Sequence, residues 1–208
     1  KMPKYVEAKP HQIQVLTPMR KGSLGVEVLN GILQKYMNPP AKEKAECQHG
    51  DIIFREGDKV MQIKNNYQLE WEVRNRYGLP LDKGTGIFNG DMGIILSINT
   101  FAQTLTVEYE DNKRVEYHFS QLDELELAYA VTIHKAQGSE FPCVILPAAQ
   151  DTPTKLCYRN LIYTGVTRAK KLLCIPGSRR TFAAMVENDR KMLRYSCLTA
   201  LLQDSQGP

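Results

Sequence analysis

The chain has 208 residues, 42% of them hydrophobic and 24% charged, an ordinary globular balance that excludes a disordered chain and leaves room for one full domain plus a smaller one, or for two modest domains. A net charge of +4 permits a nucleic-acid partner without arguing for one. The cysteines Cys47, Cys143, Cys157, Cys174 and Cys197 are odd in number and widely spaced with no C-x-x-C, which argues against a disulfide framework or a zinc site and for a reducing, cytoplasmic setting.

In chain order, the abrupt start KMPKYVEAKPHQ carries no signal peptide and reads as a boundary inside a longer protein. Residues 13–17 are a β-branched run stopped by Pro18, a strand. After the loop Met19-Arg20-Lys21-Gly22, Ser23 is expected to cap a helix reaching about Tyr36, with Val26, Leu29, Ile32, Leu33 and Tyr36 on one face and Asn38-Pro39-Pro40 as the stop. Residues 41–50 read as a polar loop. From Ile52 to Leu122 the pattern shortens to alternating segments at 59–63, 93–98, 104–109 and 114–119. The turn pairs Asn89-Gly90, Asn99-Thr100 and Asp111-Asn112 separate them, as in a small antiparallel barrel or sandwich. Residues 68–88, with the single tryptophan Trp71, read as a long loop or hairpin inside it.

After Gln121 helices and strands alternate. Segments 127–133 and 143–146 are almost wholly apolar, as in a buried parallel sheet. A helix at 156–168, a strand at 172–175 and helices at 179–186 and 193–202 follow. No apolar run approaches the ~20 residues of a membrane helix, so no membrane partner is expected. The fold class is α/β: a parallel sheet with helices, interrupted by a small antiparallel β-barrel insertion. Its parts fall at 10–52 (first α/β part), 53–122 (barrel) and 123–203 (second α/β part).

The stretch AYAVTIHKAQGSEFPCVIL, followed by NLIYTGVTRAKKLLCI, carries the densest chemistry. Thr132 and His134 are two apart and share one face of an extended strand, where a hydroxyl and an imidazole can donate to phosphates; a lone histidine is more often structural. Gly138 lets a backbone approach a ligand closely, and Glu140 can accept from a ribose hydroxyl. Taken alone, Gln137-Gly138-x-Glu140 reads as a glycine turn with a solvated glutamate. Arg168 closes a helix in T-R-A-K, where its planar fork can reach a γ-phosphate across a cleft or simply favour the helix dipole. In the barrel, Lys64, Asn66 and Tyr67 offer the basic and aromatic groups with which small barrels hold single strands, although barrel aromatics are more often core. The late basic residues Lys170, Lys171, Arg179, Arg180, Arg190, Lys191 and Arg194 read as solvated helix faces.

No G-x-x-x-x-G-K-[ST] string occurs, the Gly84-Thr85-Gly86 and Gly90 cluster fits no nucleotide fingerprint, and no acidic pair ends an apolar strand to hold Mg²⁺. No metal site is expected.

TIHKAQGSEFP followed by YTGVTRAKK resembles the last two motifs of superfamily 1 helicases, in the wording of the RecD-type branch. GDKVMQIKNNY with FNGDMG is similar to the small barrel carried by the second motor domain of that branch. The resemblance spans roughly residues 12–202 and implies a RecA-like parallel sheet with helices on both faces. It further implies ATP and Mg²⁺ as cofactors of a full-length parent, bound mainly by an N-terminal motor domain that would partner this chain in cis. By the same resemblance Arg168 is an arginine finger, and Arg20 in LTPMRKG meets the γ-phosphate, with a solvated basic loop as the other reading. Gln137, Gly138 and Glu140 would face the nucleotide. Thr132 and His134, helped by Lys135 and Ser139, would contact single-stranded DNA during 5′-to-3′ movement. Subunits of a repair complex are further partners it suggests. The alternatives are the helicase part of a conjugative relaxase, a non-motor single-stranded nucleic-acid-binding module, and a protein-interaction domain of a repair complex.

Overall fold

The computed structural model describes residues 7–149, 152, 153, 156 and 158–189; the expected helix at 193–202 lies outside them. The first elements are β1 (Ile13–Thr17), α1 (Val26–Met37), β2 (Glu46–His49), β3 (Ile52–Arg55), β4 (Lys59–Gln62), β5 (Asn66–Arg74) and β6 (Pro80–Ile87). There follow β7 (Met92–Asn99), β8 (Thr104–Tyr109), β9 (Lys113–His118), β10 (Leu125–Leu127), β11 (Ala130–Thr132), β12 (Phe141–Ile145), α2 (Arg159–Val166), β13 (Ala169–Cys174) and α3 (Arg179–Glu187).

A parallel sheet in the order β11-β1-β12-β13 forms the α/β part. Gln14 to Thr17 of β1 are all buried, as a strand covered on both faces must be. Leu16 packs in one cluster with Leu161 and Ile162 of α2 and Met185 of α3. Thr17 points to the other face by strand alternation, where its hydroxyl donates to the Leu24 carbonyl at 2.7 Å on the approach to α1.

The antiparallel sheet runs β10-β4-β7-β8-β9-β5-β6. Leu125 and Leu127 from one edge strand and Ile87 from the other share a core with Phe54, Val107, Val115 and Tyr117, so the row of strands coils around a single apolar centre. The polar loop expected at 41–50 is instead partly the hairpin β2–β3, because Cys47 and Phe54 pair across it and bury in that core. Residues 68–88 form the β5–β6 hairpin. There Trp71 lies opposite Gly84, and a Cβ on that glycine would sit 2.5 Å from Trp71 Cζ2. Gly84 of the glycine cluster therefore serves indole packing.

Three expectations need correction. The helix α1 starts at Val26 with Gly25 as its N-cap, not at Ser23, because the loop turns once more through Gly25 N–H to the Gly22 carbonyl and Val26 N–H to the Met19 carbonyl. It seats Val26 and Asn30: Asn30 donates to the Leu127 and Ala130 carbonyls and accepts from Ala130 N–H, while Ile32 and Tyr36 are exposed. The apolar run 127–133 is divided between the sheets, β10 pairing with β4 and β11 with β1. A continuous apolar run gives no sign of such a switch. Last, the helix expected at 156–168 spans Arg159–Val166 with Thr167 as its C-cap, and Lys170 and Lys171 lie on β13 rather than on a helix.

Asp58 and Lys59 join the two sheets. The fully buried Asp58 carboxylate accepts from Gln34, Asn38, Arg55 N–H and the Tyr129 hydroxyl. Lys59 Nζ donates to Gln14 Oε1 at 2.6 Å and lies 5.5 Å from the Phe141 ring centre. Burial lowers its pKa to about 8.

Candidate functional site

The register of the parallel sheet sorts the candidate residues into two groups. Thr17 is level with Thr132, and Ile13 is level with Cys143. Phe141, the first residue of β12, therefore lies about six residue steps behind Thr132, roughly 20 Å along the strand direction at ~3.3 Å per residue. The eight residues between them return the chain from the C-terminal edge of the sheet to its N-terminal edge.

At the C-terminal edge β11 ends at Thr132, so His134 lies in a turn rather than on the extended strand expected from the sequence. Burial of Ile133 and Ala136 leaves His134 in solvent. The Thr132 hydroxyl accepts from Lys135 N–H, and Ala136 N–H bonds to the Thr132 carbonyl at 3.1 Å. Arg20, just beyond β1, comes to the same place. One carboxylate binds both cations: Glu126 on β10 accepts from Arg20 through Oε1 and from Lys135 Nζ at 3.2 Å through Oε2. Burial alone would raise the Glu126 pKa, but its bonds to Arg20 and Lys135 and their charge hold it below the usual carboxylate range.

At the N-terminal edge stand Gly138, Ser139, Glu140 and Arg168. Gly138 adopts a φ of +87°, and nothing lies within 4 Å of where its Cβ would be. The turn thus needs glycine, and its backbone faces open space. Arg168 donates to the Thr164 carbonyl, the Ser139 carbonyl and the Thr167 hydroxyl, each at 3.2 Å. Among the described residues, three of its five N–H donors are occupied, leaving two. Glu140 pairs with Lys170 at 3.0 Å; that bond and charge, with a smaller contribution from Arg168, lower its pKa. Gln137 is exposed beside Gly138.

On the barrel, Lys64 is paired with Asp123, and Asn66 donates to Glu124 at 3.1 Å. Tyr67 meets Phe88 edge to face with ring centres 5.5 Å apart, and both rings are exposed, so these two aromatics are not core. Glu126 escaped the sequence reading, which takes Lys170 only as part of a solvated helix face. A lone glutamate inside the apolar run LELAYA is the signal that marks the first; nothing distinguishes the second from its basic neighbours.

Residues 29–109 match the family model described as the ATP-dependent RecD-like DNA helicase SH3 domain, and residues 127–175 match the UvrD-like helicase C-terminal domain. The ATP-dependent RecD2 DNA helicase of Deinococcus radiodurans is 36% identical over 93% of this chain and 23% of its own length. The RecBCD enzyme subunit RecD of Haemophilus influenzae is 28% identical over 96% of this chain and 26% of its own length. The chain thus spans about a quarter of these curated relatives. Among solved structures, Pif1 helicase from Bacteroides in complex with ADP-AlF3 and ssDNA superposes with a TM-score of 0.52 at 15% identity, covering 93% of this chain and 46% of that one. At that identity the likeness shows the fold alone.

Proposed function

On the premise that this chain belongs with the RecD-like helicases, whose SH3 domain model it matches and of which one relative is 36% identical over 93% of it, we propose that it is the second motor domain, with its inserted barrel at about 53–122, of an ATP-dependent 5′-to-3′ DNA helicase. The single observation that carries the reading is the segment Ile133 to Glu140. It joins a phosphate-facing edge at Thr132, His134 and Lys135 to a second edge at Gly138, Glu140 and Arg168, with only eight residues between the sheet strands.

The second edge suits a nucleotide held mainly by a preceding motor domain. Arg168 supplies its planar guanidinium fork toward a γ-phosphate, Gly138 an open backbone, and Glu140 an acceptor for a ribose hydroxyl. Mg²⁺ would sit with the phosphates on that other domain. The first edge suits the backbone of a single DNA strand. Ser139 contributes its carbonyl to holding Arg168, Gln137 adjoins Gly138 at the second edge, and Lys64, Asn66 and Tyr67 of the barrel would add further contacts to the strand. Because the connecting segment is short and anchored by Ile133 and Ala136, closure of a nucleotide cleft at one edge shifts the strand contacts at the other. The chain by itself is expected to lack ATPase activity, since its sequence has no phosphate-binding loop.

The test is Arg168→Ala in the full-length parent. ATP turnover is expected to fall roughly 10³-fold, the scale of an arginine finger, with affinity for single-stranded DNA nearly intact. Unchanged turnover removes Arg168 from the reaction.

A further inference from the structure

Arg20 and Lys135 come from segments 115 positions apart in sequence, yet one carboxylate holds both. Glu126 Oε1 takes Arg20, and Glu126 Oε2 takes Lys135 Nζ. Two cations that bind the two oxygens of one carboxylate are also spaced to bind two oxygens of one phosphate group. Exposure is graded outward, from 18% for the Glu126 side chain to 28% for Lys135 and 54% for Arg20, so the cations present unused donors to solvent above the carboxylate. Thr132 lines the same small cleft. One further acid is near: Glu27, in the first turn of α1, lies 3.5 Å from Arg20 Nε.

We propose that Arg20 and Lys135, beside Thr132, form a subsite for one phosphodiester group of a nucleic-acid strand, and that Glu126 fills this subsite as an internal anion until the strand displaces it. The proposal rests on the strand-facing reading of Thr132 and His134. It moves Arg20 from the nucleotide edge to the strand edge, because Arg20 lies with Thr132 and about 20 Å along the strands from the Arg168–Glu140 end. A strand phosphate and a nucleotide phosphate share the same chemistry; the location favours the strand.

Glu126 consequently weakens strand binding while it holds the barrel's edge strand β10 against the motor sheet. The wild-type chain, Glu126→Gln, and Glu126→Gln combined with Arg20→Gln or with Lys135→Gln are compared by fluorescence anisotropy. The probes are a labelled single-stranded DNA of about 15 nucleotides and, separately, a fluorescent ATP analogue. Thermal unfolding confirms that each variant is folded. Glu126→Gln is expected to bind the single strand roughly fivefold tighter, the scale of one half-exposed charge pair. Its log–log salt slope should steepen by about 0.7, for the one phosphate contacted on a single strand. Either second substitution should cancel most of the gain. If the wild type binds DNA and Glu126→Gln binds no tighter, the internal-anion role is overturned while the strand reading stands. If only the ATP analogue gains affinity, the subsite belongs to a nucleotide and the proposal is overturned. If neither folded protein binds DNA, the subsite and the strand reading fail together.

Discussion

The Arg168 guanidinium donates through Nη1 to the carbonyl oxygen of Ser139 at 3.2 Å. That bond joins the end of α2 to the turn between β11 and β12, and Phe141 N–H returns a bond to the Arg168 carbonyl at 2.8 Å. The side chain is aimed by backbone on both sides, and an arginine finger requires such fixed placement.

Arg168→Lys should separate aiming from charge. Lysine keeps the cation but lacks the planar fork that reaches Thr164, Ser139 and Thr167 together. In the full-length parent, turnover should stay at least tenfold below wild type, on the scale of one or more charge-assisted hydrogen bonds. Steady-state ATP hydrolysis measures this, and wild-type turnover with lysine would show that position alone suffices.

His134→Ala removes an exposed ring from a turn fixed by Ile133 and Ala136, so the fold should be untouched. Affinity for single-stranded DNA should fall about fivefold or more, the worth of ~1 kcal/mol, with nucleotide binding unchanged. Anisotropy with DNA and with an ATP analogue separates the two, and normal DNA affinity would return His134 to a solvated surface role.

Asp58→Ala leaves Gln34, Asn38, Arg55 N–H and the Tyr129 hydroxyl without their shared acceptor in a buried place. The expected loss is about 3–5 kcal/mol of stability, read by urea unfolding. A loss below about 1 kcal/mol would mean that water or a neighbouring carbonyl takes over the four donors.

Lys59 gives stability a defined pH dependence. Its folded pKa of about 8 lies below the ordinary lysine value of ~10.4. Between these values the folded chain has released a proton that the unfolded chain still holds. The unfolded state binds more protons, so this residue's contribution to stability rises with pH across the window. Lys59→Met lacks the effect. Relative to that variant, the wild type should gain roughly 1.5 kcal/mol between pH 8 and pH 9.5, the slope approaching ~1.36 kcal/mol per pH unit once the folded amine is deprotonated. Urea unfolding at both pH values measures it. A constant difference would show that Lys59 keeps its charge in the fold.

The sequence patterns that reached the structure intact were those with one local cause. The run Ile13–Thr17 stopped by Pro18, the alternating segments around Asn99-Thr100 and Asp111-Asn112, and the helix beginning at Arg179 each follow from local propensity and turn chemistry. Non-local causes were hidden. The apolar face of α1 is exposed at Ile32 and Tyr36 because Asn30, Gln34 and Asn38 find partners more than fifteen residues away. The split of 127–133 depends on which sheet each half meets. The candidate residues of the TIHKAQGSE and VTRAK strings were legible from wording, but their division between two sheet edges required the register.

The most direct test of the central claim, that one edge of this chain is a preformed track for a single strand, is anisotropy of the purified chain with a labelled oligonucleotide of about 15 residues. Single-stranded DNA, duplex DNA and RNA are each titrated across a salt series. The account predicts preference for single-stranded DNA, weakening with salt by about 0.7 in log affinity per log salt for each phosphate contacted. Equal affinity for duplex, or no binding by the folded chain at low salt, would contradict it.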